Sequence, residues 1–218
     1  MQKSSRANED YLKAIYALQD ERGARVSTSA VAERLGVSAP AATTMIKKLA
    51  ALGLVEHEPY RGVRLTRVGR LAAVEVIRHH RLLEQYLVQR LGVAIDEVHQ
   101  EAELLEHALS EELEARIDRE LGFPTHDPHG DPIPDAELKL PGSATRTLDE
   151  LEPGESATVH RVPDRDGPLL RYLSSLGLVP GRAVELLSAA PFGGPLVLLA
   201  GGAECTISRD LAALIGIG

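Results

Sequence analysis

The chain has 218 residues, a net charge of −8, one cysteine and no tryptophan. A single thiol closes no intrachain disulfide and builds no cysteine-rich zinc site. No apolar run is long enough to cross a membrane and the N-terminus lacks an apolar signal core, so a cytoplasmic location and no membrane partner are expected. Apolar residues make up 44% and aromatics only 3%, so the core must be built from Leu, Val, Ile and Ala. The charge is uneven. Residues 1–75 carry 12 Lys/Arg against 8 Asp/Glu, and the remainder carries 12 against 24. Such a split suits a phosphate-binding head and a cation-binding body.

The first predicted helix covers residues 6–20, with Leu12, Ile15, Tyr16 and Leu18 along one side. In VSTSAVAERLGVSAPAATTMIKKLAALGLV, Ser27 or Thr28 caps a short helix that ends at Gly36. Ser38 caps the next, Pro40 sits in its first turn, and Gly53 stops it. Two short helices around a tight glycine turn make a helix-turn-helix. LVEHEPYRGVRLT then reads as strand, turn and strand, a wing with its turn at Tyr60-Arg61-Gly62. VGRLAAVEVIRHHRLLEQYLVQRL is one long helix, a second runs from Asp96 to about Leu109, and a third is capped by Ser110. Residues 122–145 hold five of the 13 prolines and read as a linker with little regular structure. Beyond it, ATVHRV, AVELLSA, PLVLLAGG and ECTISR are short strands, with a short helix at Leu169–Leu176. The expected fold is mainly α with a small β domain. Its parts are a winged helix-turn-helix over 1–72, a helical dimerisation and metal-binding domain over 73–145 that includes the linker, and an SH3-like barrel over 146–218.

Chemistry concentrates on the helices after the wing. His99, Glu103, Glu106 and His107 project at about 0°, 40°, −20° and 80° if the helix from Asp96 runs unbroken. Leu104, Leu105 and Ala108 fall on the opposing arc, and with Leu82, Leu83 and Leu87 they suggest a dimer surface. His80 and Glu84 form a second pair at i and i+4. Helical bundles build metal sites from inward-facing Glu and His in this way; the alternative is a solvated charged face. There is no H-E-x-x-H motif and no identifiable nucleophile, so a binding protein is expected rather than an enzyme. On the helix that starts at Ser38, the residues Ser38, Pro40, Ala41, Thr43 and Thr44 are the expected base-facing set. They suit thymine-methyl contacts more than bidentate readout. Lys47, Lys48, Arg61 and Arg64 are the expected phosphate contacts.

The order of EDYLKAIYAL, VAERLGVSAP, LTRVGR, HHRLLEQYL, VHQEAELLEH, LGFPTHDPHGDPIP and LGLVPGRAVELL resembles the iron/manganese-dependent repressors of the diphtheria toxin repressor type, over nearly the whole chain. The resemblance implies a metal-activated transcriptional repressor that binds a palindromic operator in double-stranded DNA as a homodimer, with a C-terminal FeoA-like module. It implies a primary metal site at Asp10, Glu103, Glu106 and His107, and an ancillary site at His80, Glu84 and His99. The iron-responsive branch has sulfur ligands where this chain has Asp10 and Glu103. Hard carboxylates suit Mn(II), and point to the manganese-regulator branch. That branch often carries Glu where this chain has Lys13. Asp127 and His129 match ancillary ligands of streptococcal-type manganese repressors, with Asp164, or alternatively His160, to complete them. Mn(II) is the expected activator, with Fe(II) as the alternative and other divalent ions binding in vitro. A winged-helix regulator sensing a non-metal ligand is the competing reading.

Overall fold

Leu12 and Ile15, one turn apart on the first helix, are fully buried and anchor the N-terminal core. The computed structural model describes residues 5–19, 23–140, 146–164 and 166–218. The predicted end of the first helix at residue 20 and the last linker residues, 141–145, lie outside these. The chain forms two units. The first comprises Met1–His80, Glu106–Leu109 and Pro134–Lys139; the second comprises Arg81–Leu105, Ser110–Ile133 and Leu140–Gly218.

In the first unit, α1 (Arg6–Leu18), α2 (Thr28–Leu35) and α3 (Ala39–Ala51) precede a hairpin of β1 (Val55–Glu58) and β2 (Gly62–Leu65). Ser27 accepts from the Ala30 amide at 3.1 Å to cap α2, and Ser38 accepts from Ala41 to cap α3. Gly36 ends α2 at φ 65°, a left-handed conformation that a side chain would disfavour. Tyr11, Leu12, Ile15, Val31, Ala42, Ile46, Leu49, Val55 and Val63 pack as one cluster. Each large aliphatic side chain buried here contributes about 1.5–3 kcal/mol. The hairpin pairs Val55 with Leu65 and Glu58 with Gly62. The helix α4 (Arg67–Leu91) follows, and the division between the units falls within it.

The second unit holds α5 (Val98–Leu105), α6 (Glu111–Glu120) and the barrel. The helix α5 stops at Leu105, so residues 106–108 form a turn and the unbroken helical projection fails for Glu106 and His107. The stop has no Gly or Pro to mark it; the turn leads instead into the Ser110 cap of α6, which accepts from Leu113. Val98 and Ala102 are buried, whereas Leu104 and Leu105 are 59% and 42% exposed. Leu82, Leu83 and Leu87 are buried within the chain rather than on a free surface.

The barrel consists of β3 (Arg146–Thr147), β4 (Ser156–Arg161), α7 (Gly167–Ser175), β5 (Ala183–Ala189), β6 (Leu196–Ala200), β7 (Ala203–Ile207), α8 (Arg209–Ala212) and β8 (Gly216–Ile217). Its six-stranded antiparallel sheet runs β3-β8-β4-β5-β6-β7. Val184 and Leu186 of β5 alternate inward to meet Leu196 and Leu198 of β6. The two-residue strands β3 and β8 are too short to carry an alternation signal. Residues 126–132, read from sequence as part of a linker, are tied to the barrel. The Val162 amide donates to the His129 carbonyl at 2.9 Å. Gly130, at φ +91°, lies so close to β4 that a Cβ there would sit 1.7 Å from the His160 carbonyl oxygen. Among the described residues no helix is long and apolar enough to cross a membrane.

Candidate metal centre

Within the first unit, α1 presents Glu9, Asp10 and Lys13 to the turn that carries Glu106 and His107. His107 Nδ1 lies 2.7 Å from Glu9 Oε2, and its Nε2 lies 2.9 Å from Asp10 Oδ1 and 3.5 Å from Glu106 Oε1. Nδ1 is thus the nitrogen against Glu9, and Nε2 is the nitrogen that faces the two carboxylates. That buried Nε2 makes no well-formed hydrogen bond. Candidate ligand atoms of Asp10, Glu106 and His107 all lie within 4.8 Å of one another.

Glu106 is 2% exposed, and its oxygens have different partners. Lys13 Nζ donates to Oε2 at 2.7 Å, and His80 Nδ1 stands 2.5 Å from the same oxygen. Burial pushes the Glu106 carboxyl up, but the His80 hydrogen bond and the Lys13 charge outweigh it and hold the group below the usual carboxylate range. His79 Nδ1 lies 3.1 Å from the Glu106 carbonyl and fixes the turn.

A second cluster lies wholly in the second unit. Glu84, Asp127 and His129 are all buried, with candidate ligand atoms within 4.8 Å of one another. Asp127 Oδ1 accepts from the amides of His129 and Asp131, both at 2.9 Å, so it shapes its own turn, while Oδ2 lies 3.6 Å from Arg81 Nε. His129 Nε2 donates to the Ile95 carbonyl at 3.0 Å, which aims Nδ1 at Glu84 Oε2, 3.6 Å away. His99 Nδ1 lies 3.1 Å from Glu84 Oε1 and 4.0 Å from Asp164 Oδ2.

Burial alone would lower the His99 pKa, yet hydrogen bonds to Glu103 and Glu84 and the Asp164 charge raise it to about 9. His129 also rises, because Glu84 and Asp127 outweigh its burial. Asp127 rises through burial first, then through Glu84 and Asp131. The two imidazoles are raised by the carboxylates around them, whereas Asp127 is raised first by its burial.

The sequence-derived ligands thus fall into two groups. Asp10, Glu106 and His107 meet in the first unit, where His80 also contacts Glu106. Glu84, His99, Asp127, His129 and Asp164 meet in the second. Glu103 also lies in the second unit, half-exposed, with Oε1 3.4 Å from His99 Nε2. His160 does not join this group: it is exposed, with its ring against Gly218, because the close approach to Gly130 engages its backbone. Sequence reasoning missed Glu9. Its signal was its place one residue before Asp10, and a helical projection of α1 would have shown it.

On the helix-turn-helix, Ser38, Pro40, Ala41, Thr44, Lys47 and Lys48 are exposed and Thr43 is half-buried. The hydroxyls of Thr43 and Thr44 donate to the Ala39 and Pro40 carbonyls at 2.8 and 3.0 Å. Their hydrogen-bond donors are thereby occupied within the helix, which favours apolar contact through the methyl groups. In the wing, Arg64 Nη2 lies 2.7 Å from Glu56 and Arg61 Nη1 lies 3.2 Å from Glu58. Arg25 also binds Glu56 and Glu58. Arg61 and Arg64, the expected phosphate contacts of the wing, thus each have an acidic partner.

Both clusters offer only oxygen and imidazole donors, a set that fits a divalent first-row ion. Family models match in chain order. "Iron dependent repressor, N-terminal DNA binding domain" covers residues 3–63; "Iron dependent repressor, metal binding and dimerisation domain" covers 66–135; and the FeoA domain covers 146–217. The iron-dependent repressor IdeR of Mycobacterium tuberculosis (strain ATCC 25618 / H37Rv) is 34% identical over 94% of this chain and 93% of its own length. The diphtheria toxin repressor of Corynebacterium efficiens is 34% identical over 94% of this chain and 91% of its own. Among solved structures, a manganese-dependent transcriptional repressor in complex with manganese is 43% identical with a TM-score of 0.86, over 96% of this chain and 98% of that one. The manganese regulator SloR is 34% identical with a TM-score of 0.78, covering 97% of each chain. With a helix-turn-helix head, two nitrogen–oxygen clusters and a FeoA barrel matched along its length, this chain belongs to the iron-dependent repressor family of metal-dependent transcriptional repressors.

Proposed function

We propose that this chain is a Mn(II)-activated homodimeric repressor that binds a palindromic operator, with Asp10, Glu106 and His107 as its activating centre. The observation that carries this is His107: its Nδ1 lies against Glu9, and Nε2 faces the carboxylates of Asp10 and Glu106. The bound ion supplies positive charge and a rigid joint between α1 and the 106–107 turn. The chain's own residues do the positioning. Glu9 aims the imidazole, and His79 holds the Glu106 carbonyl. Because α1 packs in the same core as α3, fixing α1 biases the arrangement of the recognition helix. Moving such an equilibrium from 1:99 to 99:1 takes ~5.5 kcal/mol of differential affinity.

The resemblance also assigns Glu103 to the activating ion. Glu84, His99, Asp127, His129 and Asp164 are proposed as the ancillary site, to which the resemblance adds His80. Domain limits at 72 and 145 complete this reading. The test is operator binding titrated anaerobically with Mn(II), Fe(II), Co(II) and Zn(II). Tight binding with Mn(II) at the lowest free concentration supports the reading. A response to Fe(II) alone supports the iron branch, to which IdeR and the diphtheria toxin repressor belong, and metal-independent binding sinks both. A monomeric mass with metal present would contradict the dimer.

A further inference from the structure

We propose that Tyr60, at the tip of the wing, is a specificity-determining residue that packs its ring into the minor groove beside each half-site and so favours A·T pairs there. This rests on the reading that the head binds an operator. The side chain of Tyr60 is fully exposed and has no partner among the described residues. Its backbone is also held against preference. Pro59, Tyr60 and Arg61 join the paired residues Glu58 and Gly62, and the Arg61 amide donates to the Glu58 carbonyl at 3.1 Å. Tyr60 has φ 66° in this turn. With a proline before it, this is the third position of a type II turn, where Gly or Asn is the comfortable residue. A bulky side chain at such a position is an outlier, and the head's core does not use the ring.

The base of the wing is tied down, so the ring is presented at a fixed place. Val26 and Val63 exchange backbone hydrogen bonds, both at 2.9 Å. Arg25 donates to the Glu56 carbonyl at 2.9 Å and pairs with Glu58. The hairpin follows directly on α3, and Tyr60 lies within residues 3–63, the stretch matched as a DNA-binding domain. With α3 in a major groove, the tip of the hairpin crosses the phosphate ridge to the neighbouring minor groove. Apolar side chains are the groups that minor-groove binders insert there. A G·C pair places the 2-amino group of guanine on the groove floor, in the way of the ring, whereas an A·T pair does not. The charges of the wing agree. Arg25, Arg61 and Arg64 are each paired with Glu56 or Glu58, so the group left unengaged at the tip is the uncharged ring.

The experiment measures affinity for an operator duplex selected from a random pool, with the activating ion saturating, for full-length wild type, Tyr60→Asn and Tyr60→Phe, and the melting temperature of each. Tyr60→Asn should melt higher than wild type, because Asn suits the turn, yet lose about tenfold in operator affinity, the scale of one lost base contact. Its salt slope should match wild type, because no charge is removed. Tyr60→Phe keeps the ring and should bind as wild type does. Replacing the A·T pairs that flank the selected half-sites with G·C should weaken wild type and leave Tyr60→Asn unchanged. Inosine–cytosine pairs lack the 2-amino group but present the major-groove face of G·C, so they should restore wild-type binding. Equal operator affinity of wild type and Tyr60→Asn overturns the proposal. Inosine pairs that act like G·C overturn it too, since the contact would then lie in the major groove. If Tyr60→Asn does not fold, the inosine series on wild type decides. A Tyr60→Asn that keeps its affinity but falls from dimer to monomer gives the ring to a second copy and overturns the proposal. A wild type that binds no duplex with any ion sinks the repressor reading, and this proposal with it.

Discussion

His107 Nδ1 lies 2.7 Å from Glu9 Oε2, and this one hydrogen bond decides which nitrogen of His107 faces Asp10. A carboxylate behind a ligating histidine sets its orientation and raises its basicity, and losing such a partner lowers metal affinity 10–100-fold as an order of magnitude. Glu9→Ala should therefore weaken Mn(II) binding by about that factor. Glu9→Gln keeps an acceptor for the Nδ1–H and should lose less. Calorimetric Mn(II) titration measures both, and equal wild-type affinity in Glu9→Ala would remove Glu9 from this role.

Ligand capacity and ligand softness separate by mutation. His107→Ala deletes a donor that every ion shares and should abolish activation by all of them. Asp10→Met replaces a hard oxygen with a thioether, which disfavours Mn(II) and shifts the ranking towards Fe(II), Co(II) and Zn(II). Glu103→Cys should push the same way, by the role the resemblance assigns to it. Operator affinity against free metal is the readout. An unaltered ranking in Glu103→Cys would leave Glu103 with His99, where its carboxylate stands at 3.4 Å.

In the second cluster, the two oxygens of Asp127 have separable duties. Asp127→Asn keeps the oxygen that accepts from His129 N and Asp131 N, so the turn should fold, while the charge offered to a cation is lost. Asp127→Ala leaves two buried amides without their acceptor, at about 1–3 kcal/mol each. The expected result is reduced metal stoichiometry with near wild-type melting for Asp127→Asn, and a lowered melting temperature for Asp127→Ala. Equal melting of the two variants would contradict the division.

The helix-turn-helix was legible because its signals are local: Ser27, Gly36, Ser38 and Gly53 mark boundaries that capping geometry requires. The wing and the longer barrel strands were legible from alternation and turn residues. Spacing made the His/Glu residues legible as a group, whereas their partition into two sites came from the resemblance alone. The helix α5 ends at Leu105 without a breaker residue, so Glu106 and His107 leave the helical projection and face α1, nearly a hundred residues away in sequence. The burial of His129 was hidden for the same reason: its turn reads as an exposed proline-rich segment until Gly130 meets the backbone of β4. Long-range packing leaves little trace in spacing.

The wing's charge pairs predict an asymmetry in DNA binding. Lys47 is exposed on α3, whereas Arg64 is held 2.7 Å from Glu56. Removing one side chain that neutralises a phosphate should reduce the log–log salt slope by ~0.9. Lys47→Ala should show close to that full reduction. Arg64→Ala should show less, because Arg64 must leave Glu56 to meet a phosphate and the freed carboxylate then repels the backbone. Glu56→Gln removes that competitor and should raise affinity for all sequences alike, since phosphate contacts carry no base information. The measurement is operator and non-operator affinity across a salt series, with metal saturating. If Glu56→Gln lowers non-operator affinity, the Glu56–Arg64 pair positions the wing for DNA rather than competing with it.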